Sequence, residues 1–515
     1  MSVVTMLSRV LGLFREQARA YFLGTGAGAD AFGIAFMIPN LFRRLVGEGA
    51  MTAAFVPVFT RMMERERREE LWDFANRFFL LLSAILAAIT VSGILASGLL
   101  VEHVFARGFA AEPAKLELTV SLTRWMFFYL FFISLAALIQ GMLNCFGRFV
   151  VPAFTPILLN LSVIGAAFLF GRSMDQPAYA FAAGVLVGGV LQLGFQLPFI
   201  WRLGFRFRPT LRIFHRAGRE VLGLMGYGLF GMGIYQINVA VSNAVASYLG
   251  EGAVSSLQYS NRLMELTLGV FIISISTVIL PSMARQLSAG RQGEALETLA
   301  FAVRMVVFIS LPAAVGLILL RYPVISLLFN FSGGRFDAAS TELTATAVVF
   351  HLLGLVPLGL SRIGVAVFYA AKDMKTPVKA AAGSMAVNLV ACLTLPIWLG
   401  HGGVALANTL AALFIAALLV FFIRQRFGVP ERGWRIGGAS LRALAAGALM
   451  GLVVWWLAGE VLVLDRLTSK LQLGLALGGV IAAGAVVYFL TALVLGAAEP
   501  RELLALVRRK RSAAE

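Results

Sequence analysis

The sequence predicts an all-α polytopic membrane protein of about fourteen transmembrane helices. Three observations lead there. The chain of 515 residues is 59% hydrophobic and only 13% charged, about half the charge of a soluble domain. Its mean hydropathy is +0.86. Apolar runs recur from end to end, each near the roughly 20 residues a helix needs to cross the hydrocarbon core. No room is left between them for a soluble domain.

The expected spans are 2–23, 31–60, 74–100, 118–146, 152–171, 178–201, 221–249, 253–283, 299–319, 345–371, 380–399, 403–423, 438–458 and 471–496. With the N-terminus in the cytoplasm, the inner loops and tail carry 25 Lys plus Arg and the outer loops 7. Basic loops stay on the cytoplasmic side, so both termini are expected there. The net charge of +17 is read the same way, as topological, and nucleic-acid binding is not expected. Span one is apolar but holds three arginines and lacks a small-residue cleavage site, so it reads as a retained span and not a leader.

The most basic loop is "RLGFRFRPTLRIFHRAGRE", 202–220, with six arginines and one glutamate. It divides the chain into an N-terminal lobe, 1–201, and a C-terminal lobe, 221–424, followed by a helix pair and basic tail, 425–515. A faint parallel echo supports the division: "NLFRRLVGEGAMTAAFVP" ends span two, and "NRLMELTLGVFIISISTVILP" ends span eight. Paired lobes around a central site are a common transporter plan.

Charges inside the spans carry the functional reading. Span one holds Arg9, Arg15, Glu16 and Arg19; span two holds Arg43, Arg44 and Glu48; span eight holds Arg262 and Glu265. Arg44 with Glu48, and Arg262 with Glu265, have helical spacing for ion pairs. Charged groups at depth face a bundle interior or a wet cavity. Arg9, Arg15, Arg43, Arg44 and Arg262 outnumber Glu16, Glu48 and Glu265, so an anionic ligand is expected. Guanidinium presents a rigid donor fork to phosphate or carboxylate. Arg77, Arg304 and Arg442, near span ends, are expected to snorkel. Gly47 and Gly49 beside Glu48, and "MGYGLFGMG" at 225–233, suit close helix contact or bending.

Enzymes are not indicated. His103, His215, His351 and His401 are scattered, no nucleotide loop is present, and Cys145 and Cys392 form no metal or disulfide motif. No cofactor and no metal site is expected.

Several stretches resemble the MurJ/MviN family of lipid II flippases: 5–59, beginning "TMLSRVLGLFREQARAYFLGTGAGADAF"; "GRFVVPAFTP", 147–156; "GGVLQLGFQLP", 188–198; "YSNRLMELTLGV", 259–270; and "KDMKTPVKAA", 372–381. The resemblance implies two six-helix lobes in a V shape plus two C-terminal helices. It implies flipping of the undecaprenyl-diphosphate-linked peptidoglycan precursor, lipid II, to the outer leaflet by alternating access. The substrate is thus an anionic polyprenyl-diphosphate glycolipid. Membrane lipids and the cell-wall synthesis machinery are candidate partners, and a monomer is the expected working form.

By motif, the family's substrate-binding residues fall on Arg9, Arg15, Glu16, Arg43, Glu48 and Arg262. Asp30, Arg44 and Glu265 are expected to gate or orient, with Asp30 at the external mouth. Glu16 stands where the family often has Asp, and Asn261 where some members have Asp. Asn238 and Asn243 offer no carboxylate, so a sodium site is not carried over. The alternatives are an exporter of another lipid-linked glycan or a non-transporting scaffold for envelope assembly.

Overall fold

A computed structural model describes residues 2–45, 51–430, 433–434, 436–462 and 469–502. The chain folds into helices α1 Ser2–Leu23, α2 Ala27–Phe42, α3 Met51–Arg65, α4 Arg68–Leu95, α5 Ser97–Leu99, α6 Pro113–Cys145, α7 Val150–Phe170, α8 Ala178–Arg202 and α9 Arg216–Ala246. They are followed by α10 Ala253–Ser288, α11 Gln292–Leu319, α12 Arg321–Phe329, α13 Ala338–Leu353, α14 Leu355–Ala370, α15 Lys375–Thr394, α16 Pro396–Phe427, α17 Ile436–Val461 and α18 Lys470–Val494. No strand occurs among the described residues.

Among the described residues, nine helices are both long and apolar enough to cross a bilayer, or ten if the bent pair α13–α14 is one span. The other four expected spans fall on α1, on α2 with α3, and on α9 and α10. Helix α1 fails a strict apolar test because Arg9, Arg15, Glu16 and Arg19 lie within it. Helices α2 and α3 are pieces of 16 and 15 residues. Helices α9 and α10 run 31 and 36 residues, longer than a crossing requires.

After α2, Arg43–Leu45 continue in a wider helical turn, and residues 46–50 of the expected second span lie outside the described residues. The tenth bends by 45° between α13 and α14. At that break, a Cβ on Gly354 would sit 2.6 Å from the Thr409 hydroxyl of α16, so only glycine fits.

Contacts divide the chain into two units: Met1–Ser255 with Phe329–Ser340, and Ser256–Leu328 with Thr341–Glu515. The first therefore runs past the basic loop and includes α9, which packs on α3 and α4. One of its cores is an aromatic stack: Phe55 lies 5.2 Å from Phe59, 5.8 Å from Phe74 and 5.2 Å from Phe78. A second joins Phe22, Phe32, Met126, Tyr129 and Phe181. In the second unit, Phe308, Met450, Leu477 and Tyr488 knit α11 to α17 and α18, and the Tyr488 hydroxyl donates to the Phe308 carbonyl at 2.7 Å.

Packing, not water exclusion, holds such helices together in lipid. Helices α7 and α8 show how. A Cβ on Gly184 would lie 2.7 Å from the Val163 Cα, so the two backbones meet where the side chain is missing. Large side chains point outward instead, among them Leu95, Trp455, Trp456 and Val494. On a soluble protein that much apolar surface would drive association; facing acyl chains it is ordinary.

Candidate functional site

Helix α1 lines up its charges on a cross-braced ladder. The Arg15 guanidinium donates through Nη2 to Glu16 Oε1 at 2.7 Å and through Nη1 to Asn160 Oδ1 at 3.2 Å. Asn160, on α7, is buried, and its amide nitrogen donates to the Ser8 carbonyl at 3.1 Å. A guanidinium gripped on two edges is pre-set in direction, so less side-chain freedom is lost when an acceptor arrives. Arg15 remains half-exposed. Arg9, two turns nearer the N-terminus, is exposed.

Arg19 has a different fate. It is 8% exposed, lies 3.8 Å from Glu16 Oε2, donates to the Ala29 carbonyl at 3.1 Å and sits 5.4 Å from the Phe32 ring centre. It fastens α1 to the start of α2.

Arg43 leads the wide turn after α2 and donates from Nε to Asn40 Oδ1 at 2.8 Å. It and Arg44 are half-buried. Glu48, and with it the Arg44–Glu48 pair, lies outside the described residues.

In the second unit, Arg262 and Glu265 form the expected pair on α10, at 3.5 Å with side-chain exposures of 30% and 40%. The Arg262 Nε is buried without a hydrogen-bond partner, a donor ready for an acceptor. Two residues before Arg262, the buried Ser260 hydroxyl meets His351 Nδ1 at 2.7 Å. Asn243 donates through its amide nitrogen to the Val239 carbonyl at 2.8 Å. Among the described residues no cluster of His, Cys, Asp or Glu could hold a metal ion.

Asp30, expected at the external mouth, is fully buried. Oδ2 accepts from the Gly252 amide at 2.9 Å, and Oδ1 from the Ser255 amide at 2.8 Å. Ser255 lies in the first turn of α10, whose amides a helix N-terminus leaves unsatisfied, and Gly252 immediately precedes it. Lys115 Nζ, itself buried, lies 3.0 Å from Oδ2 and 4.3 Å from the Phe109 ring centre. One carboxylate thus joins α2, α6 and the first turn of α10.

Beside it the Thr25 hydroxyl donates to Ser340 at 2.8 Å. The Arg335 amide donates to the Tyr21 carbonyl at 2.8 Å. Gly24, at φ +60°, brings its backbone so near that a Cβ would lie 2.4 Å from the Arg335 carbonyl oxygen. A cavity of ≈ 560 Å³ opens here, lined by Thr25, Gln176, Glu251, Arg335 and Asp337 among others. None of the arginines singled out in the sequence lines it.

Asn160, Asn40 and Lys115 were not singled out by the sequence reading. A lone amide in the apolar run "ILLNLS" was a signal for Asn160. Lys115 gave none, since it reads as an ordinary loop lysine.

A multi-pass helical chain with half-exposed, braced arginines has the features of a membrane transporter. The fold agrees: an inward-facing multidrug resistance MATE family transporter of the MOP superfamily superposes with TM-score 0.69 at 15% identity, covering 82% of this chain and 98% of that one. A structure of lipid II flippase MurJ in an inward closed conformation superposes with TM-score 0.79 at 26% identity, covering 98% and 99%.

The family described as lipid II flippase MurJ matches residues 19–494. A probable lipid II flippase MurJ of Vibrio cholerae is 34% identical over 96% of this chain and 95% of its own length. The lipid II flippase MurJ of Burkholderia cenocepacia is 34% identical over 88% of each chain. The chain belongs to the MurJ family.

Proposed function

We propose that this protein moves lipid II from the cytoplasmic to the outer leaflet of the inner membrane by alternating access, breaking no bond. Arg15, Arg43 and Arg262 take the diphosphate or the peptide carboxylates, and Arg9 assists. Glu16, Glu48 and Glu265 orient these arginines and temper the positive charge of the empty protein. The lobes are 1–201 and 221–424, with 425–515 as an appended helix pair. Both termini face the cytoplasm, a reading supported by the 25 to 7 bias of basic residues between loops.

The observation that carries the proposal is the bracing of Arg15 by Asn160 and Glu16. A transport arginine must reject lipid while empty and still offer donors to an anion. An amide acceptor on one edge orients the guanidinium without cancelling its charge, as a second carboxylate would.

The test is translocation of lipid II in cells depleted of their own flippase. Wild type is compared with Arg15→Ala and Arg262→Ala at equal membrane abundance. Loss of a charge-assisted contact with phosphate predicts about a tenfold or larger fall in rate for each. Full translocation by both variants would refute the arginine mechanism. A folded but inactive wild type would point to another lipid-linked glycan.

A further inference from the structure

We infer that residues 205–214 form an interfacial docking ribbon that seats the first unit on anionic phospholipid head groups. The starting point is a conflict in exposure. Leu211 is 100% exposed, Phe214 59% and Phe207 53%. Such residues are costly in water, yet they stand in the most basic stretch of the chain, where no transmembrane helix hides them.

The ribbon is not slack. Residues 205–214 form neither helix nor strand, and the backbone is pinned to α4. The Asn76 amide donates to the Arg208 carbonyl at 2.7 Å and its carbonyl accepts from the Arg208 amide at 3.0 Å. Arg68 donates to the Leu203 carbonyl at 2.8 Å. Phe205 is buried and packs edge-on to Trp72 at 5.9 Å. Phe207 also touches Phe79 edge-on at 6.1 Å but stays more than half exposed, as do Leu211 and Phe214.

Charge names the occupant. Arg206, Arg208 and Arg212 are exposed, and among the described residues none of them forms an ion pair. The one carboxylate of the stretch, Glu220, is taken by Arg61 at 3.0 and 2.5 Å. The surface is thus three apolar side chains interleaved with uncompensated guanidinium groups. Interfacial segments have this composition: apolar side chains enter the head-group boundary while arginine binds phosphate. A basic loop serving only to fix topology needs the arginines but not the exposed Phe and Leu.

The test uses the full chain in lipid nanodiscs of phosphatidylcholine alone or with phosphatidylglycerol. A nitroxide is placed by Leu211→Cys on a Cys145→Ala, Cys392→Ala background. In anionic discs the label should be accessible to oxygen and shielded from a water-soluble nickel chelate. It should move toward water in neutral discs, and also in anionic discs when Arg206, Arg208 and Arg212 are changed to Gln. The unaltered chain provides a second reading: tryptic cleavage after Arg206 and Arg212 should slow about tenfold or more in anionic discs. A label equally exposed to water in both discs, or equal cleavage in both, overturns the proposal.

Discussion

Removing Lys115 should cost more than removing most surface charges in this protein, and removing Asp30 with it should give much of that back. Lys115 Nζ and Asp30 Oδ2 are 3.0 Å apart, with side-chain exposures of 2% and 0%. Asp30 also accepts the Gly252 and Ser255 amides, while Lys115 has a second carboxylate, Glu112, at 3.7 Å. Lys115→Met leaves a buried carboxylate with two donors and no counter-charge, at a cost of about 3–5 kcal/mol. Asp30→Asn leaves the ammonium with only Glu112 and turns one acceptor into a donor, a loss in the same range of about 3–5 kcal/mol. In the double variant no buried charge is stranded, and the remaining loss is one hydrogen bond plus repacking, about 1–2 kcal/mol. The cycle should therefore show a coupling of at least ~2 kcal/mol. Equilibrium unfolding in mixed micelles, followed by helicity, measures all four corners. Additive losses, or single losses below ~1 kcal/mol, would refute the idea that this pair is a buried, mutually dependent unit.

Three further outcomes are expected. Lys372, at φ 57°, is the only non-glycine residue with positive φ among the described residues; it follows α14 where helices favour glycine, so Lys372→Gly should stabilise by about 0.5–1 kcal/mol in the same assay. His215 accepts the Ala217 amide through Nδ1 at 3.1 Å, capping α9. Burial, opposed by Asp73 and Glu70 and aided by Arg77, holds its imidazole below the usual 6.5. The unfolded chain then takes the proton first, so this group's contribution is complete above 6.5 and is lost as pH falls below it. His215→Asn keeps a capping acceptor and should flatten the melting temperature against pH in that window. Arg304 meets Glu499 at 3.3 Å and Glu502 at 3.7 Å; Arg304→Met should strand the buried Glu499, cost about 2–3 kcal/mol, and expose the chain after α18 to carboxypeptidase.

Much of the helical layout was legible because lipid imposes it. A run that must satisfy its own backbone in hydrocarbon becomes a helix, so α1 and α8 begin at their expected residues, Ser2 and Ala178. The departures from straight α-helix were less legible. The turn at Arg43 and the bend at Gly354 lie inside apolar runs, and the close approach of Thr409 that favours glycine comes from 55 residues further along the chain. The charged positions were legible as positions but not as roles. Arg15 and Arg19 are four apart in one pattern, yet one stays half-exposed and the other is absorbed by the Ala29 carbonyl and Phe32. Arg304 read as a snorkelling residue because its partners lie beyond α18, almost 200 residues away. The burial of Asp30 was hidden for the same reason: its donors come from α6 and the start of α10.

The seam at Gly24 has a consequence for how this protein can vary among related chains. Tyr21, Gly24 and Arg335 meet there through main-chain atoms: an amide, two carbonyls and a missing Cβ. The Arg335 side chain is not what makes the contact. Drift should therefore be lopsided across the seam, with position 335 free to exchange side chains and position 24 held to glycine. A tally of natural substitutions by position, not by pair, would carry that imprint. Methods that look for contacts through correlated change would be blind to this one, because only one partner has a side chain to lose.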